Sequence, residues 1–102
     1  MSDVKASRTV VVNNSQGLHL RPAHLIVQLA NQFQAKIELL KENHLVDGPS
    51  ITDLMTLAAV QGTQLTIEAD GPDAQQALEA LAELFAGNFA DYEQDENQTT
   101  PG

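Results

Sequence analysis

The sequence predicts an α+β domain of two layers, with helices packed on one face of a mainly antiparallel sheet. Three observations carry that reading. The stretches "AKIELLK" and "QLTIEAD" alternate apolar with polar residues, and "RTVVVNN" is rich in branched residues. Three further stretches bring apolar residues back at spacings of three and four. The two kinds succeed one another in the order β-α-β-β-α-β-α. An alternating strand has one face to bury and an amphipathic helix one stripe, so each layer covers the other. A chain of 102 residues supplies one modest core and one domain, and no internal repeat divides it.

Taken in order, residues 1–7 read as a flexible lead-in and residues 8–89 as the domain. The first strand, "RTVVVNN", stops at the turn-forming Asn14-Ser15-Gln16-Gly17. From Leu20 to about Asn31 the period is helical, with Ala23, Ile26, Val27, Ala30 and then Phe33 on one face. "AKIELLK" and the shorter "HLVD" form a hairpin through a tight turn near Glu42-Asn43, with Ile37 and Leu39 pointing to one side. Asp47-Gly48-Pro49-Ser50 breaks the chain before "ITDLMTLAAV", a second helix with Ile51, Leu54, Met55 and Ala58 on its face. Ser50 with Asp53 resembles a capping box, and Gly62 is the expected stop. "QLTIEAD" is the last strand, with Leu65, Ile67 and Ala69 on one side. Gly71-Pro72-Asp73 opens a long helix, proline in its first turn and an acid near its positive end. Its stripe is Ala74, Ala77, Leu78, Leu81 and Phe85, flanked by Leu84 and Phe89. Beyond it, residues 90–102 form an acidic tail expected to be disordered.

Charge and composition remove several function classes. Five basic against fourteen acidic residues leave a formal charge of −9. The tail residues Asp91, Glu93, Asp95 and Glu96 account for only part of it, so the folded portion is acidic too. Nucleic acid and anionic membranes are therefore excluded as partners. With one tyrosine, three phenylalanines and no tryptophan, the chain also lacks a base-stacking platform. There is no cysteine, which excludes disulfides, thiolate metal sites and cysteine catalysis. "MSDVKASR" has no apolar core of a signal peptide, and no apolar run reaches the ~20 residues that span a bilayer. A cytoplasmic location is the expectation.

The chemistry gathers in "GLHLRPAH", residues 17–24. If a helix begins just after His19, that residue stands at or beside its N-cap. First-turn N–H groups have no acceptor inside the helix and carry partial positive charge. Pro22 has no N–H and a φ suited to a first turn. The N–H groups of Leu20 and Arg21 are then turned toward an anion, and the Arg21 guanidinium adds charge-assisted bonds to it. A neutral imidazole is a good nucleophile toward phosphorus, and the helix end and Arg21 favour the ring that keeps its lone pair. On local chemistry alone an ordinary helix start is the stronger reading, and the rest of the chain decides against it.

The stretches "GLHLRPAHLIVQLANQF" and "GPSITDLMTLAAVQGTQLTIEADGPDAQQALEALAELF" resemble the HPr family, the histidine phosphocarriers of the bacterial phosphotransferase system. The likeness runs from about residue 8 to 89, and residues 17–23 match the family pattern G-[LM]-H-x-R-P-[AS] throughout. A serine opening a helix that leads to Gln61-Gly62 is a second match. The resemblance implies an open-faced sandwich with strand order 1-4-2-3 and three helices on one face. It implies that enzyme I phosphorylates His19 on Nδ1, phosphoenolpyruvate being the original donor, and that a histidine of an enzyme IIA domain receives the group. Arg21 would clamp the phosphoryl oxygens, and Ser50 matches the position that a dedicated HPr kinase modifies in some lineages. No cofactor is implied.

Departures from the family are expected to matter. Lysines often flank the acceptor in relatives, and the matching positions here are Gln28, Asn31, Pro49 and Asp53. Docking is thus expected to lean on Ile51, Leu54 and Met55, with His24 at the border of the site. His24 lies about 140° around the helix from His19, and a surface histidine is its ordinary reading. His44 sits in the hairpin, and His19, His24 and His44 lack the spacing of a zinc site. The chain is expected to be monomeric and to have no turnover of its own. A second role stands beside sugar uptake: "LFAGNFADYE" resembles the end of the nitrogen-related HPr paralogue, a regulatory protein that binds partners according to its phosphorylation.

Overall fold

The structure is a computed structural model and describes residues 4–89. Four strands and three helices follow the order β1 (Val4–Val11), α1 (Leu20–Ala30), β2 (Lys36–Lys41), β3 (His44–Asp47), α2 (Ile51–Met55), β4 (Gln64–Gly71) and α3 (Ala74–Ala86). The strands form one antiparallel sheet in the order β1-β4-β2-β3. The three helices cover one face. Alternation decides which side chains go under them: Ile37, Leu39, Leu65, Ile67 and Ala69 are buried. The residues between them, Glu38, Leu40, Thr66 and Glu68, belong to the uncovered face. There Glu38 stands opposite both Glu68 and Asp47, so carboxylates concentrate on the side away from the helices. The stripe of α3 is buried at all five expected positions, and Phe89 returns to the core to meet the Phe85 ring edge-on at 5.2 Å.

Four expectations are corrected. The lead-in is not loose from Val4 onward, because β1 begins there and pairs Val4 with Gly71 and Lys5 with Asp70. Ala6 packs against the core, which gives this segment its reason to be a strand. The second helix stops at Met55 instead of running on to Val60. Thr56, Leu57 and Ala58 donate to the carbonyls three residues back, tightening the last turn, and Ala58 then takes a positive φ of 48°. That reversal sends Leu57 and Ala59 into the core and leaves Ala58 exposed. Pro72 lies before the N-cap of α3, not in its first turn, since the N-cap is Asp73. The Asp73 carboxylate does not cap its own helix but accepts the backbone N–H groups of Gln34 and Ala35, each at 2.8 Å. It thereby ties the α1–β2 connection to the start of α3. The fourth concerns the box at α2. Ser50 Oγ accepts from Asp53 N at 3.3 Å, but Asp53 Oδ2 accepts from Asp47 N at 3.4 Å, so the return half goes outside the helix. The tail expected over 90–102 lies outside the described residues.

Candidate functional site

His19 is the N-cap of α1, with extended backbone (φ −116°, ψ −167°). Its carbonyl accepts the first helical bond, from Ala23 N at 3.0 Å, while its ring does not turn back to cap the helix. The ring is half-buried and stands at the positive end of an eleven-residue helix. Leu20 and Arg21 occupy the first two helical positions, Arg21 with its side chain exposed. Pro22 is buried in the first turn, where its missing N–H costs nothing. An imidazole at the N-cap and the first-turn N–H groups thus share one helix start, with Arg21 at its second helical position. The arrangement can bind a doubly charged tetrahedral oxyanion and hold it against the imidazole.

Long-range contacts fix where this helix start lies. Val12 N donates to Thr63 O at 2.9 Å, Gly62 N to Val12 O at 2.7 Å and Leu18 N to Ala59 O at 2.8 Å. Gln61 Nε2 adds a bond to Asn13 O at 2.9 Å. The β1–α1 loop is therefore clasped to the segment after α2, with Gly17 in the middle. Gly17 has φ +74°, and a Cβ there would stand 2.6 Å from Ala59 O. The glycine of "GLHLRP" is required by this close backbone approach.

The other expected site residues separate in space. Leu54 is 0 % exposed and offers no surface, so it cannot serve docking; it is a core residue. Ile51 is half-buried, His24 exposed, and Met55 39 % exposed. Two apolar side chains escaped the sequence reading of this surface: Leu20, 58 % exposed, and Val60, 68 % exposed. Leu20 lies one turn before His24 on the same face of α1, a relation the i, i+4 spacing already carried. Val60 lies against Gly17 through the clasp, which no local spacing announces. His44 bonds through Nε2 to Thr56 Oγ1 at 2.8 Å, and the Thr56 hydroxyl donates to the Asp53 carbonyl. The hydroxyl's proton being committed, the imidazole is the donor. His44 therefore braces β3 against α2.

The family model described as "PTS HPr component phosphorylation site" matches residues 6–87. The chain belongs to the HPr family of phosphocarrier proteins. Phosphocarrier protein HPr of Treponema pallidum is 43% identical over 82 residues, covering 80% of this chain and 93% of that protein. The crystal structure of HPr from Bacillus anthracis superposes with a TM-score of 0.76 at 42% identity, covering 79% of this chain and 96% of that one. The catabolite repression protein Crh of Bacillus subtilis, crystallised as a domain-swapped dimer, gives a TM-score of 0.67 at 43% identity over 78% of this chain and 91% of that one. Membership accounts for the strand order β1-β4-β2-β3 and places the chain among phosphotransferase-system components. Among the described residues no helix is long and apolar enough to cross a membrane.

Proposed function

We propose that this HPr-family chain takes a phosphoryl group from phosphorylated enzyme I onto His19 and passes it to a histidine of an enzyme IIA domain, serving sugar uptake and its regulation. The observation that supports this is the pairing of an uncapped ring at the N-cap of α1 with the helix start and Arg21 beside it. In the forward step the Nδ1 lone pair attacks phosphorus and the donor's N–P bond breaks, its ring nitrogen keeping the bonding electron pair. Arg21 and the first-turn N–H groups balance charge that stays on the phosphoryl oxygens throughout. The chain is the covalent carrier, and the partners complete each transfer site. It has no turnover of its own.

The docking face in this reading comprises Leu20, His24, Ile51, Met55 and Val60 around His19. It is apolar for its size, and Arg21 is its cation, since Gln28, Asn31, Pro49 and Asp53 carry no positive charge. Steering by charge is correspondingly weak, and the enzyme I that fits such a face is less acidic there than the lysine-bearing members of the family require. The carrier acts as a monomer, because one face around one histidine needs no second copy. Ser50 serves first as the helix cap; a phosphate added there by an HPr kinase would meet the Asp53 carboxylate. A second reading, regulation through phosphorylation-dependent partner binding without sugar transport, draws on the likeness to Crh and on the ending "LFAGNF".

The deciding experiment incubates the protein with enzyme I and labelled phosphoenolpyruvate. The expected product is an acid-labile phosphate on the native chain and none on His19→Ala. Persistent labelling of that variant would overturn the assignment of His19.

A further inference from the structure

We infer that Asn14 is a positioning residue for His19, an inference that rests on the phosphocarrier reading of that histidine. Asn14 is the buried polar or charged residue among those described, 8 % exposed in the loop that leads from β1 to His19. Its Nδ2 donates to Gly17 O at 2.6 Å, and its own carbonyl accepts Gly17 N at 3.0 Å. The two bonds close a turn that ends two residues before His19. The orientation of the amide follows from chemistry: a carbonyl oxygen only accepts, so the NH2 must face Gly17. The other end of the amide, Oδ1, is buried and has no hydrogen-bond partner among the described residues.

A group left unsatisfied in this way is uncommon and calls for a reason. The reason lies in what Gly17 needs. Its N–H and C=O are both taken up by Asn14, its neighbour Leu18 bonds Ala59, and a Cβ on it would collide with the Ala59 carbonyl. A short side chain that brings a donor to this carbonyl is required, and asparagine supplies one only with an acceptor attached. Aspartate would place oxygen against oxygen, alanine would leave the Gly17 carbonyl without its donor, and a serine hydroxyl is too short to span the turn. The idle Oδ1 is therefore the consequence of selecting the donor. Through Gly17 the donor sets the peptide planes from which the extended N-cap backbone of His19 continues. Asn14 does not reach the reacting atoms; it decides where the ring stands when a phosphoryl donor docks.

The test compares native protein, Asn14→Ala and Asn14→Asp as substrates of enzyme I and phosphoenolpyruvate, with ring 1H–15N signals of His19 recorded on each folded protein. Misplacing a nucleophile after docking lowers kcat by about tenfold and leaves KM for the carrier within about twofold. The ring signals of His19 shift, while those of His44 stay in place. For Asn14→Asp the ratio of variant to native rate rises as pH falls, because a protonated carboxyl again donates to Gly17 O. If Asn14→Ala does not fold, Asn14→Asp carries the test, since its lowered rate recovers as pH falls only if the donor to Gly17 O is what positions the ring. Rates and ring signals equal to native in folded variants overturn the inference, as does a change in KM alone. No labelling of the native protein would instead refute the phosphocarrier reading.

Discussion

Replacing Gly17 with alanine isolates the contact that holds the β1–α1 loop against the segment after α2. Two costs add. A φ of +74° suits glycine, and an L-residue held there loses roughly 1–2 kcal/mol. The new methyl group would also stand 2.6 Å from Ala59 O and 3.0 Å from Val60 Cα, both backbone atoms that cannot swing aside as a side chain could. Forcing the clasp apart is comparable to overpacking a core, about 1–3 kcal/mol. The sum, about 2–5 kcal/mol, is a large share of the roughly 5–15 kcal/mol that keeps a small domain folded. Gly62 is the internal control: its φ is +92°, but a Cβ there meets nothing within 4 Å. Gly62→Ala should therefore cost only the backbone part, roughly 1–2 kcal/mol. Urea unfolding of both variants measures the difference, read as a shift in midpoint at unchanged slope. In thermal unfolding the gap appears as roughly 4–8 °C per kcal/mol. Equal losses in the two variants would refute the close-approach argument, and with it the explanation of the glycine in the motif.

The remaining predictions separate the core from the docking surface. Leu54→Ala should cost about 2–4 kcal/mol in urea unfolding, while Met55→Ala should stay within about 0.5 kcal/mol yet weaken binding of enzyme I in a titration. Ser50→Ala removes a cap and should lose about 1 kcal/mol without slowing phosphorylation of His19 in the labelling assay. Raising salt from about 50 to about 500 mM should weaken the enzyme I complex by less than about threefold, since Arg21 is the docking face's cation; a steep loss would argue for an ion-paired interface.

The elements most legible in the sequence were those whose pattern reports burial directly. Alternation in "KIELL" and "QLTIEA" placed Ile37, Leu39, Leu65, Ile67 and Ala69 inward, and the stripe of α3 was correct at every position. The helix start at His19 was legible too, because N-cap, first-turn proline and helical period are neighbours in the chain. The apolar spacing around α2 misled for a physical reason. Leu54 and Leu57 are both buried, but the backbone between Met55 and Ala59 reaches the core by turning through a positive φ at Ala58, not by continuing a helix. Spacing alone cannot distinguish those two routes. Nor could it show that Leu54 is a core residue while Met55, its neighbour, faces out, or that Val4–Ser7 find a partner in β4.

What the sequence by itself determined is the chemistry on offer: an imidazole, a guanidinium and a helix start within three residues, and the amphipathic elements that carry them. Local order along the chain is enough for that, because those residues are neighbours in a single helical turn. Tertiary structure alone decided the setting of His19. The bonds from Leu18 to Ala59, Val12 to Thr63 and Gln61 to Asn13 join residues more than forty positions apart. The use of Asn14 follows from them, since a buried turn must satisfy the Gly17 carbonyl from within. Such pairings form only once the sheet has assembled in the order β1-β4-β2-β3 and brought the ends of β1 and β4 side by side.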